Sequence, residues 1–142
     1  MSAATPNFVM VREIAETVGG HVVLTVDTIA HVKSEDAGAI VMTGSHGGIS
    51  SGEYAGRAPI GAVFFNDAGI GKDNAGTAAL PYLEGRGIIA GTVSHNSALI
   101  GNAAETWNCG VISALNRLGE RAGFQIGEPV QQAVRRLYGA GI

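Results

Sequence analysis

The sequence predicts an α/β protein, a single three-layer α/β/α sandwich with a mainly parallel sheet spanning residues 1–142. Three observations carry this. First, short apolar runs at 39–42 (AIVM), 60–65 (IGAVFF) and 88–93 (IIAGTV) have the length and composition of strands covered on both faces. Second, the segments between them carry helical signals, and strand–helix alternation favours a parallel sheet with short, regular crossovers. Third, 142 residues at 46% hydrophobic and 15% charged are enough for one real core and too few for two domains.

Taken in chain order, residues 8–18 (FVMVREIAETV) place Phe8, Val11, Ile14, Ala15 and Val18 at helical spacing before Gly19 and Gly20, which predicts a first helix. His21 to Val32 is rich in Val, Ile and Thr and reads as a strand, bent near Asp27. The three apolar runs follow as strands, ended by Gly44, Asn66 and Ser94. Between the second and third, Asn74 to Glu84 reads as a helix capped by Asp73, with Pro81 shortening or kinking it. Thr106 to Ala122 puts Trp107, Val111, Ala114, Leu115 and Leu118 on one face and reads as a long helix. A last helix is expected from Val130 to Tyr138, after Gly127 and Pro129.

Composition excludes several function classes. A net charge of −3, with no run of Lys or Arg among aromatics, gives no field for nucleic acid. No apolar stretch approaches the length of a membrane span, and MSAATPNFVM has neither the basic start nor the apolar run of a signal peptide. Cys109 is the only cysteine, so no disulfide framework or cysteine-rich zinc site forms within one chain, and a reducing cytoplasm is the expected location. GIGK (69–72) is a fragment of a phosphate-binding signature without the rest of the Walker pattern, and no cofactor is expected.

In parallel α/β sheets the residues just beyond the strands share one rim, where ligands usually bind. Three such stretches are unusually polar here: GSHGGISSGE (44–53), NDAGIGKD (66–73) and TVSHNSA (92–98). Gly44, Ser45, Gly47, Gly48 and Ser51 form a stretch able to turn backbone N–H groups and hydroxyls toward an anion. Asp67 follows two phenylalanines and Asn66, where apolar walls are expected to raise its pKa for acid–base work. His46 and His95 stand at corresponding strand ends as proton-transfer groups. Lys72 and Asp73, with Thr92, Ser94, Asn96 and Ser97, complete the expected substrate contacts.

Two alternatives share these residues. Gly48 to Gly52 matches the GxSxG pattern, and Ser50, Asp67 and His95 follow the chain order of an α/β-hydrolase triad, although Ser50 lies well beyond Met42. His46, Asp67 and His95 also make a possible two-imidazole, one-carboxylate metal set, without a short ligand spacing to support it. No metal site is therefore assigned.

VMTGSHGG, FFND and IIAGTVSHNSALIG, between Ala39 and Gly101, resemble the methylglyoxal synthase-like family in their order: a Gly-Gly loop, a Phe-Phe-x-Asp strand end and a Thr-rich strand end before a helix. The resemblance covers under half of the chain. It implies a domain that binds a small phosphate- or carboxylate-bearing molecule, commonly as a homo-oligomer, in a family holding both phosphate-eliminating enzymes and non-catalytic allosteric modules. Asp67 matches the aspartate after the paired aromatics, and 94–97 matches a ligand-binding loop. Asp73 matches a later acidic position only approximately, with a short gap. Ile49 stands where the synthase has its catalytic aspartate, so synthase activity itself is not implied.

The expectation is therefore a lyase or hydrolase of a small anionic substrate, with a non-catalytic anion-sensing module as the alternative. A homo-oligomer is expected, because Val134, Leu137, Tyr138 and Ile142 extend the chain beyond a complete α/β unit. Arg135 or Arg136 then reaches a neighbour's site.

Overall fold

Residues 11–141 are described by a computed structural model. Six strands form one sheet in the order of the sequence: β1 (Arg12–Val18), β2 (His21–Val26), β3 (Ile40–His46), β4 (Ala62–Asn66), β5 (Ile89–Val93) and β6 (Ile112–Leu115). β2 to β5 run parallel, and β1 and β6 close the two edges antiparallel. The helices are α1 (Ile49–Gly56), α2 (Ala79–Glu84), α3 (Ala103–Cys109), α4 (Arg117–Ala122) and α5 (Val130–Gly139). The fold is thus α/β with a mainly parallel sheet, as the apolar runs predict.

Neighbouring strand residues go to opposite faces, which separates two cores. Ile40, Met42, Ala62 and Phe64 pack with Trp107 of α3 and Val130 and Val134 of α5. Val41, Val63 and Phe65 pack with Ala55 of α1 and Leu80 and Leu83 of α2. Both faces of the central strands are buried, which is why their sequences are continuously apolar rather than alternating.

Two expected helices are corrected. In the described part of the first, 11–18, residues 12–18 are strand β1: Gly19 and Gly20, at φ +57° and +83°, make the two-residue hairpin turn that returns the chain as β2 rather than a helix stop. Phe8 lies outside the described residues. The helix expected at 106–122 is three elements, α3, β6 and α4. The chain leaves α3 at Gly110, whose backbone is already extended (φ −63°, ψ 134°), and only glycine fits there, because a Cβ would lie 2.4 Å from the Thr106 carbonyl and 2.6 Å from the Val93 side chain. Asn116 then opens α4, its side chain accepting from Gly119 N–H.

Asn116 does more than cap. Its amide is 4% exposed, accepts from Ala90 N–H and donates to the carbonyls of Leu80 and Ile88, so one side chain ties β5, α2 and α4 together. Asn116→Ala strands these buried groups. It is expected to cost about 3 kcal/mol, read as a lower urea midpoint at unchanged m-value.

The 74–84 helix is shorter than expected. Lys72–Thr77 is a 3₁₀ segment in which Asp73 and Asn74 have φ of +56° and +58°, so Asp73 caps nothing and α2 begins only at Ala79. Pro81 sits in α2's first turn, where no backbone N–H is needed, and does not break it. The last helix stands where the sequence places it. Its Val130, Val134 and Tyr138 are spent in the chain's own core, while Arg135 pairs with Glu16 and Arg136 with Glu128.

Candidate functional site

The parallel strands end on one rim, and the register places His46 of β3 beside Asn66 of β4 and Asn66 beside Val93 of β5. Adjacent strands lie about 4.8 Å apart, so His46 and the residues just past Val93 stand roughly 10 Å from each other with Asp67 between them.

Beyond His46, Gly47 and Gly48 carry β3 straight into α1, so the Gly-rich stretch is a strand-to-helix junction rather than an open loop. Gly47 is required because a Cβ would lie 2.4 Å from the Gly76 carbonyl oxygen. Gly48 N–H donates to His46 Nδ1 at 3.0 Å. The neutral His46 ring, assigned from that bond, keeps its lone pair on Nδ1 and carries its proton on Nε2. α1 begins here without a side-chain cap, and its first N–H groups, at Ile49, Ser50 and Ser51, have no carbonyl within the helix to bond. A cavity of about 420 Å³ opens at this junction, lined by His46, Ile49, Ser50, Ile70 and Ala75 among others, so its walls are mostly apolar.

The chain leaves β4 through two buried polar residues. Asn66 donates to the Ala98 carbonyl at 2.9 Å and accepts from Ala68 N–H, fixing the loop's start. Asp67, 4% exposed, accepts from Gly69 N–H at 2.8 Å and from His95 N–H at 3.1 Å, and the Ser113 hydroxyl lies close enough to favour its charged form. Its Oδ1 is also 3.3 Å from His95 Nδ1. Burial pushes the Asp67 pKa up, but the Gly69, Ser113 and His95 donors together outweigh it and hold the carboxyl below its ordinary value. The sequence expected the opposite sign, because the two phenylalanines were visible and the donors were not. Asp67 is thus an anion that only accepts, so the neutral tautomer that pairs with it has the His95 proton on Nδ1 and the lone pair on Nε2, on a side chain 50% exposed.

A depressed carboxyl stabilises the fold above its unfolded pKa and loses that contribution as pH falls through the lower folded value. The Asp67 contribution should be intact above pH 3.8, the ordinary aspartate value, and disappear below it. Urea titrations between pH 2 and 6 check this: Asp67→Asn is expected to flatten the acid limb relative to wild type.

Ala68, Gly69, Ile70 and Gly71 all have positive φ, as do Asp73 and Asn74. For β-branched Ile70, at +68°, this is strain of about 1–2 kcal/mol. Ala68 and Ile70 line the cavity, and Gly69 between them lies against the His95 ring, with its Cβ position 3.6 Å from Cε1. One strained loop therefore touches both the cavity and the Asp67–His95 pair.

Several expected contacts are structural. Gly44 lies inside β3, where a Cβ would be 2.4 Å from Gly101 and Asn102 backbone atoms. Ser45 accepts from Ile29 N–H. Ser94 Oγ accepts from Asn96 N–H, and Ser97 Oγ donates to the Ser94 carbonyl and accepts from Val111 N–H, which shapes the 94–97 turn. Thr92 and Ser113 share a hydrogen bond of 2.8 Å. Lys72 and Asp73 are exposed and outside the cavity lining, as is buried Ser51. Ser50 lines the cavity, but among the described residues no hydrogen bond joins it to Asp67 or His95. No cluster of three or more His, Cys, Asp or Glu among the described residues is placed to hold a metal. Sequence reasoning missed Ser113, which it assigned to a helix; only recognising β6 as the strand beside Thr92 brings it to Asp67.

No family model matches this chain, nor does any curated protein or solved structure. Among the described residues no helix is long and apolar enough to cross a membrane.

Proposed function

We propose that the protein is an enzyme of the lyase or hydrolase class that moves a proton on a small anionic substrate at the carboxyl-terminal rim of its sheet. One observation carries this reading: the two rim histidines are set in opposite tautomers by opposite partners, His46 by a backbone donor and His95 by a carboxylate. His46 then offers a donor at Nε2 and His95 an acceptor at Nε2, the pair that proton transfer requires. In this scheme His95 is the general base, Asp67 orients it, and His46 donates to the developing oxyanion or leaving group. The unbonded amides at the start of α1 hold the anionic group, in line with the ligand class that the methylglyoxal synthase-like resemblance implies.

Ile49 at the first position of α1 and the apolar cavity wall favour a second reading, a module that binds the anion without chemistry. A panel of phosphate- and carboxylate-bearing small molecules, screened by thermal shift and then incubated and analysed by mass spectrometry, separates the two. Turnover supports the enzyme; saturable binding with the ligand recovered intact rejects it in favour of the module. Exposed Leu99 and Ile100, near the rim, rather than α5, are the apolar surface on which we propose a homo-oligomer forms. A 14.4 kDa particle in light scattering would remove it.

A further inference from the structure

At the opposite end of the sheet, the chain leaves α1 and α2 through Arg57 and Arg86 and enters β4 and β5. A cleft of about 360 Å³ lies there, lined by both arginines with Pro59, Ile60, Gly87 and Ile88. Each guanidinium stacks on a tyrosine of its own helix: Arg57 over Tyr54 at 4.8 Å and Arg86 over Tyr82 at 4.9 Å from the ring centroid. Gly52 and Gly56 make this possible. A Cβ at Gly56 would lie 2.8 Å from Arg86 Cδ and 3.2 Å from the Tyr82 ring, and one at Gly52 would lie 2.9 Å from Ala79, so α2 and its Arg–Tyr stack rest directly on α1.

Both arginines pass over available carboxylates. Glu53 precedes Arg57 by four residues, the spacing at which helical ion pairs form, yet the guanidinium lies on Tyr54 instead. Glu84, two residues before Arg86, gives its carboxylate to Arg117 N–H at 2.6 Å. Among the described residues neither guanidinium hydrogen-bonds to any protein group, whereas Arg12, Arg135 and Arg136 are all ion-paired. Both side chains are exposed, so each guanidinium keeps its N–H fork, which lies in the guanidinium plane, free of protein acceptors while its charge rests against a tyrosine ring. Two such forks on one cleft of a protein with net charge −3 form a local cationic site in an otherwise acidic molecule.

We infer that this cleft is an oxyanion-binding site, separate from the rim, in which Arg57 and Arg86 jointly hold the phosphate or carboxylate group of a small ligand. Two planar forks match the oxygens of such a group better than two ammonium groups would. The proposal does not depend on the catalytic reading of the rim.

Titration of the intact protein with inorganic phosphate at low ionic strength, followed by NMR of the arginine Nε–H groups, tests it. Saturable shifts of Arg57 and Arg86 are expected. Arg57→Ala and Arg86→Ala should each weaken binding about ten-fold or more, and Arg86→Lys should weaken it as well because the fork is lost. Tyr54→Leu keeps the charge and should still weaken it, by freeing Arg57. A parallel acetate titration assigns the group: comparable binding makes it a general oxyanion site, tighter acetate binding a carboxylate site and phosphate-only binding a phosphate site, each of which supports the inference. Phosphate that shifts neither arginine, or variants with wild-type melting temperatures that bind as tightly as wild type, would overturn it.

Discussion

Gly76→Ala is expected to lower stability by about 3 kcal/mol, on overpacking grounds, and to disorganise the rim. A Cβ at this position would lie 2.0 Å from the Asp67 carbonyl oxygen and 2.9 Å from Ile70 Cα. Both obstacles are backbone, so no side-chain rotation makes room. The loop is closed by Gly76 N–H on the Ile70 carbonyl at 2.6 Å, and Asp67 at its root carries His95. Gly85→Ala is the control: its added methyl meets only the Tyr82 and Pro81 carbonyls, at 3.5 and 4.0 Å, and is expected to change stability by less than about 1 kcal/mol. Chemical denaturation of both variants measures the contrast, and a Gly76→Ala protein as stable as wild type would refute the loop geometry.

His95→Gln is expected to lower kcat by roughly 100- to 10,000-fold once a substrate is known, with KM little changed, because it removes a proton acceptor without altering the α1 terminus or the cavity wall. Asp67→Asn should lower kcat by about 100-fold by a different route. The amide can donate where the carboxylate only accepted, so the His95 ring is no longer held with its proton on Nδ1. The pH profile tells the two apart: residual activity in Asp67→Asn should still titrate with His95, and that in His95→Gln should not. Wild-type kcat in His95→Gln removes the base from the scheme.

The parallel core was legible because burial on both faces writes the same continuous apolar signature into 40–42, 62–65 and 89–93. The rim was legible for the same reason, since polar residues immediately beyond such runs have one place to go. What failed were segments whose period is ambiguous. Ile14, Ala15 and Val18 satisfy a helical face, but only the conformation of Gly19 and Gly20 decides between a stop and a hairpin. Trp107 to Leu118 keeps a helical rhythm across α3, β6 and α4, and the chain after Gly110 is instead held by Ser94 N–H on the Val111 carbonyl and Val130 N–H on the Gly110 carbonyl, partners far in sequence and invisible to local pattern. The sign of the Asp67 pKa shift was hidden similarly, because it depends on donors from Gly69, His95 and Ser113 that converge only in the folded chain.

A sheet whose spatial order is its chain order also has a history. Each strand from β2 to β6 is laid beside the one made just before it, so during synthesis the growing edge is always the most recent element and no strand waits for a distant partner. Only the β1–β2 hairpin is local, however: each later pairing spans a whole crossover, such as Ile40 to Ala62 and Ala62 to Ile89, the kind of non-local contact that slows folding. The β1–β2 hairpin is ready to template β3 while later residues are still being made. The helices of one face depart from this order: α3 returns to β2 and β3, with Ala103 N–H on Asp27 76 residues earlier, and α5 returns to β1, with Arg135 on Glu16 119 residues earlier, so that face closes only after the strands it covers have been made.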